Sequence, residues 1–258
     1  MTDLPAAAVP AAEENFRIGQ IFGRSFAILG RNAVVFVPLG ALAALPNLLN
    51  DLQRLRPVPH GIGPGIVLPT HTAGSEVGLP ILSFLLTLCV QAVMVYGAFQ
   101  DMRGNKVRLS ESLGAGLSRL LPVIGAAIGV GVVMGVGVLL LVVPGLIAFA
   151  MLYVTIPVCV VERLGPFKSL DRSASLTKGY RWKVFGIALL PALAGAIIMG
   201  VVAAALPPLA GPMAAALGGF FCEAIFNTYQ AIVAVVTYHD LRVAKEGVDI
   251  NRIAAVFD

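Results

Sequence analysis

Between Arg119 and Glu162 lie 42 consecutive residues without a formal charge, about twice the length that one bilayer crossing takes. A helix rises ~1.5 Å per residue and the hydrocarbon core is ~30 Å thick, so about 20 residues suffice. Leu120 to Val161 must therefore turn back on itself. Val143-Pro144-Gly145 is the expected turn, because proline removes a helix donor and glycine accepts the positive φ that closes a helix. Residues 32–50 and 77–100 are also uncharged, each enough for one crossing. Residues 184–239 carry a single formal charge, Glu223, over 56 positions, and the proline-rich Leu206 to Pro212 divides them into two crossings.

Only 12% of the chain is charged and its mean hydropathy is +0.89, so a charged surface of the kind a water-soluble fold needs is not available. The expected fold is all-α: a polytopic membrane protein with six transmembrane helices near 33–50, 77–100, 121–143, 145–161, 184–206 and 212–238. These form a membrane domain over 16–240, between a disordered tail at 1–15 and a cytoplasmic tail at 241–258. Met1 to Gln20 lacks the apolar run of a cleaved signal peptide. Of the 18 lysines and arginines, all but Arg54 and Arg56 fall on one side of this arrangement. The positive-inside rule puts that side, with both termini, in the cytoplasm.

Three amphipathic segments on the basic side, about 16–31, 108–120 and 166–178, are expected to lie along the headgroups as interfacial helices. In the first, Ile18, Ile21, Phe22, Phe26 and Leu29 oppose Arg17, Arg24 and Arg31. In the second, Leu109, Leu113, Leu117 and Leu120 face one way, with Glu111, Ser112, Ser118 and Arg119 elsewhere. In the third, Phe167, Leu170 and Ala174 form the apolar stripe. Each precedes a transmembrane hairpin, which reads either as a threefold repeat or as the ordinary basic loop before a span.

The segment VVERLGPFKSLDRSASLTKGYRWKVFGIALL, Val160 to Leu190, resembles bacterial membrane proteins of the family named after the membrane domain of glycerophosphoryl diester phosphodiesterases, and TYHDLRVAKEGVDI, Thr237 to Ile250, resembles that family's C-terminal end. The resemblance implies a six-span inner-membrane protein and no established chemistry. The catalytic barrel of the phosphodiesterases themselves has no counterpart here, and the only histidines are His60, His71 and His239.

Glu223 is expected to face the bundle interior, since a lone ionised group in hydrocarbon costs at least ~2.5–3.5 kcal/mol. Asn227 and Gln230 continue its stripe, and Gln91 is the expected partner across the bundle. This polar seam reads either as a substrate or proton path or as interhelical glue. Gly125/Gly129 and Gly131/Gly135 have the spacing of close helix contact, within the bundle or between protomers. Pro38 and Pro46 are expected to kink the first span. Glu162 is expected in an ionic collar at the headgroups, with Trp182 as interface anchor. Arg17, Arg24, Arg31, Lys168, Arg172, Lys178, Arg181 and Lys183 are candidate contacts for anionic lipid.

Cys89, Cys159 and Cys222 form no metal or disulfide pattern, and HExxH, GxSxG, Walker and dinucleotide motifs do not occur. No cofactor is expected and no nucleic-acid partner; membrane lipids, anionic ones among them, are. The favoured function is a non-enzymatic organiser of lipids or of a partner protein at the cytoplasmic face. The alternatives are a small transporter or channel around Glu223, and a membrane accessory of glycerophosphodiester metabolism without its own catalytic domain.

Overall fold

The computed structural model describes residues 16–55, 73–140 and 142–246, which are helical throughout apart from short turns. The helices are α1 (Ile18–Arg54), α2 (Ala73–Met102), α3 (Leu109–Ser118), α4 (Leu120–Leu140), α5 (Val142–Leu152), α6 (Thr155–Val161), α7 (Pro166–Thr177) and α8 (Arg181–Glu246). Five helical stretches among the described residues are long and apolar enough to cross a membrane: Ile18–Arg54, Pro80–Met102, Leu120–Leu140, Val143–Val161 and Arg181–Glu246. Val34, Leu121, Leu139 and Leu209 are 81–89% exposed, as side chains facing lipid rather than water would be. The described chain is thus all-helical, with several helices able to span a membrane.

α1 and α8 each contain one break. In α1 it falls at Asn32 (φ −119°, ψ 21°), separating an amphipathic segment from the apolar one. The Asn32 amide donates to the Ile28 carbonyl at 3.1 Å and to Asp101 Oδ1 at 2.8 Å, so the end of α2 fixes the bend. Pro38 and Pro46 remain within regular helix and make no hinge. In α8 the break is Gly211, at φ 84°, the one position in the Pro207–Pro212 stretch able to adopt a left-handed backbone at no steric cost. Its two arms fold back on each other, with Gly195 against the Phe226 ring and Gly218 against Leu206. α1 with α2 and α4 with α5 form similar antiparallel hairpins, as the Phe36–Gly97 and Gly137–Gly145 approaches show.

Three boundaries differ from expectation. α4 ends at Leu140 and α5 begins at Val142, which leaves Pro144 and Gly145 inside the first turn of α5, where a missing N–H is harmless. That span is itself split into α5 and α6 around Tyr153–Val154, because Pro157 can offer no N–H to the Tyr153 carbonyl four residues back. The last helix runs on to Glu246, beyond the expected boundary at 240. The expected tails at 1–15 and 247–258 lie outside the described residues, as do His60 and His71.

The short helices all pack at one end of the bundle, which carries most of the basic residues and is termed the basic end below. α3 turns Ser112 and Gly116 inward, Gly116 so close to Val93 that a Cβ would lie 2.9 Å from its backbone nitrogen. Of its expected apolar stripe, Leu109 and Leu117 are exposed while Leu113 packs against the core. α7 likewise buries Ser169, Ser173, Leu176 and Thr177 and leaves Phe167 outside. The reason lies in the split fourth span. The last carbonyls of α5 have no helical donors, and Ser173 Oγ supplies one to Met151 at 2.7 Å. α7 is thus a hydroxyl-bearing cap on a broken membrane helix, which is why its inner face is small and polar.

Candidate functional site

Packing of α2, α5, α6 and both arms of α8 leaves a cavity of about 510 Å³, which Ala43 of α1 and the middle of α4 also border. Thr87 and Gln91 of α2 and Asn227 and Gln230 of α8 form its polar wall. Met94, Met134, Phe149 and Ile156 supply much of its apolar lining. Three of the four residues expected in the polar seam therefore do converge on one space. Their carboxamides make no hydrogen bond among the described residues, and the Tyr153 hydroxyl, also at this cavity, is buried without a partner. Amide groups left unpaired in an apolar interior are costly, so the space suits water or a hydrogen-bonding solute.

Glu223, the fourth member, sits four residues from Asn227 and takes a partner that the sequence did not announce. Asn47 Nδ2 donates to Glu223 Oε1 at 2.6 Å, and Ser83 Oγ donates to Asn47 Oδ1 at 3.3 Å. Asn47, Ser83 and Glu223 each lie four residues from a cavity-lining residue on their own helix: Ala43, Thr87 and Asn227. In all three helices the step runs away from the basic end. The cluster is thus one turn, ~6 Å, beyond the cavity on the far side. Toward the basic end α2, α6 and α8 continue with Val95, Val158, Val184, Val235 and Tyr238, all fully buried.

The candidate lipid-binding cations divide into two groups. Arg24 Nη1 donates to Asp240 at 2.6 Å, Arg31 Nη2 to Asp101 at 2.6 Å, and Arg172 Nε to Glu162 at 3.0 Å, with a second bond from Arg172 Nη2 to Glu246. Glu162 also accepts from the Tyr238 hydroxyl at 2.9 Å, and Arg242 Nε binds Glu246 at 3.0 Å. Among the described residues Arg172 is the basic side chain paired with Glu162, and with Glu246 it forms an internal latch joining α6, α7 and the end of α8. Arg17, Lys168, Lys178, Arg181 and Lys183 make no ion pair among the described residues, and Lys183 lies over the Tyr180 ring at 5.7 Å. Trp182 is 76% exposed and meets Phe185 edge-on, consistent with an anchor in the headgroup layer.

Burial opposes ionisation of Glu246, but the bonds from Arg172 and Arg242 outweigh it and hold its carboxyl below the ordinary range. A depressed folded pKa means the latch contributes above the unfolded carboxylate value of about 4.3 and is lost as pH falls through the folded one. The melting temperature of detergent-solubilised protein should therefore hold from neutrality to about pH 5 and fall in more acid buffer. In Glu246→Gln that fall should be smaller; an identical acid limb would remove Glu246 as its source.

Gly125 and Gly129 receive Pro166 and Leu170 of α7, so their close contact is with a short helix and not with another span. Gly131 and Gly135 face open space. His239 Nδ1 lies 3.1 Å from Asp240, and no group of three or more His, Cys, Asp or Glu able to hold a metal occurs among the described residues. Cys89, Cys159 and Cys222 are free thiols. No protein-family model, curated protein or solved structure matches the chain.

Proposed function

We propose that the chain is an inner-membrane protein crossing the bilayer six times with both termini cytoplasmic, and that it binds and passes a small polar solute through the cavity of Gln91, Asn227 and Gln230. The observation that carries this reading is the convergence of unpaired carboxamides from separate helices on one cavity of about 510 Å³. Interhelical glue would show those amides bonded to one another. The basic end then faces the cytoplasm, by the positive-inside rule, and the Glu223 cluster lies toward the other side. The protein is non-enzymatic on this reading.

The test is water access. Asn227→Cys in a chain with Cys89, Cys159 and Cys222 replaced by serine should be labelled by a membrane-impermeant thiosulfonate reagent applied from the periplasmic side. Val132→Cys, facing lipid at mid-span of α4, should not. Failure to label position 227 from either side would make the seam a dry packing feature.

A second reading, an organiser of anionic lipid at the cytoplasmic face, is favoured by the exposed Lys168 and Lys178 beside Trp182. It rests on these residues rather than on Arg24, Arg31 and Arg172, whose charges are engaged internally. The resemblance of Val160 to Leu190 to the glycerophosphodiesterase membrane-domain family belongs with either reading.

A further inference from the structure

The cavity and the Glu223 cluster together narrow the solute, and we infer that it is an amphipathic organic cation admitted from the side away from the basic end. The inference rests on the proposed solute path and adds the charge and the direction of entry.

Charge comes first. None of the residues lining the cavity is a lysine, arginine or histidine. The one formally charged side chain near it is Glu223, one turn beyond the wall. An anion entering this space would lose its hydration and meet no compensating charge. A cation meets a carboxyl group at the mouth and then carboxamide oxygens and a hydroxyl at Gln91, Asn227, Gln230 and Thr87. Aromatic faces are the second source of attraction for a cation of low hydration, and Phe149 and Tyr153 line the same cavity.

Shape agrees. The lining combines polar Thr87, Gln91, Asn227 and Gln230 with apolar Met94, Met134 and Ile156, so a solute with an apolar body and a charged or polar edge satisfies both. A small inorganic cation would leave the apolar wall facing water. About 510 Å³ is in the range of cavities that hold drug-sized molecules.

Direction follows from packing. The Asn47–Glu223 bond and its Ser83 support lie at the exposed end of the path, bringing together one residue each from α1, α2 and α8. The opposite end is closed by fully buried valines and Tyr238. Asn47 holds one carboxyl oxygen of Glu223 and so orients the group across the mouth.

The experiment uses the full chain in phosphatidylcholine nanodiscs, a zwitterionic bilayer that does not concentrate cations, with ethidium as the probe cation. Saturable ethidium binding is expected, weakened about tenfold or more by Glu223→Gln and by Gln91→Leu. Lys178→Glu should leave it unchanged. Because Glu223 also holds Asn47, melting curves accompany each variant, and Gln91→Leu tests the cavity with the Glu223–Asn47 bond intact. Absence of saturable binding, or binding that Glu223→Gln and Gln91→Leu both leave untouched, overturns the inference. If Asn227→Cys is nonetheless labelled from outside, the solute path survives and only its cation preference falls.

Discussion

Gly40→Leu is expected to abolish the folded monomer. Any Cβ at position 40 would meet the Thr228 hydroxyl and the carbonyl of Ala224. The second obstacle is main chain and cannot rotate away, so α1 and the last arm of α8 must separate. Overpacking of a close-fitted core costs about 1–3 kcal/mol when side chains can adjust, and more when backbone is the obstacle. Thr228 loses as well, since its hydroxyl donates to the Ala224 carbonyl at 2.8 Å, with the Phe36 carbonyl at 3.2 Å. Size-exclusion chromatography of the solubilised protein, followed by a thermal ramp, checks this. Gly131→Leu is the control, because nothing lies within 4 Å of its side-chain position. Equal melting of the two variants would show that α1 and α8 are not pressed together as described.

Arg172→Met should be the most damaging single change outside the spans. It strips partners from both Glu162 and Glu246, and the Glu162 side chain is only 15% exposed. Removing one member of a buried ion pair costs about 3–5 kcal/mol, and the part-exposed site here brings that to about 2–3. Arg172→Lys should recover little, since an ammonium cannot reach two carboxylates with separate nitrogens of one planar group. Arg172→Met combined with Glu162→Gln should recover more than either lysine or methionine alone, because the uncompensated charge is gone. If the double variant melts no higher than Arg172→Met, the latch is not electrostatic in origin.

The charge-free runs made the helices legible because length and hydropathy are local properties: Leu120 to Val161 has to fold back whatever surrounds it. The short helices were legible as elements and misread as surfaces. In α3 Leu109 and Leu117 point outward, while Ser112 and Gly116 pack inward beside Leu113. In hydrocarbon an apolar side chain gains nothing by being inside, so the inner face goes to small residues and to hydroxyls with orphan carbonyls to meet. Ser173 reaching Met151 is a case that periodicity read as a water-protein pattern cannot reveal. The polar seam was half legible. Asn227 and Gln230 share a stripe with Glu223 by spacing alone, but Asn47 is 176 residues away from Glu223, and nothing near it in the chain indicates that pairing. The small pair Gly125/Gly129 marked a true close contact, while its partner, α7, depends on a tertiary placement that spacing does not encode.

The latch also has a temporal meaning. Arg24 is separated by 216 residues from Asp240, and Arg172 by 74 from Glu246. During synthesis the opening amphipathic helix therefore emerges long before the carboxylate that secures it, and its guanidinium must wait while all the intervening helices are made. A chain cut short of its last helix would display arginines without the carboxylates of Asp240 and Glu246 that pair with them in the finished protein.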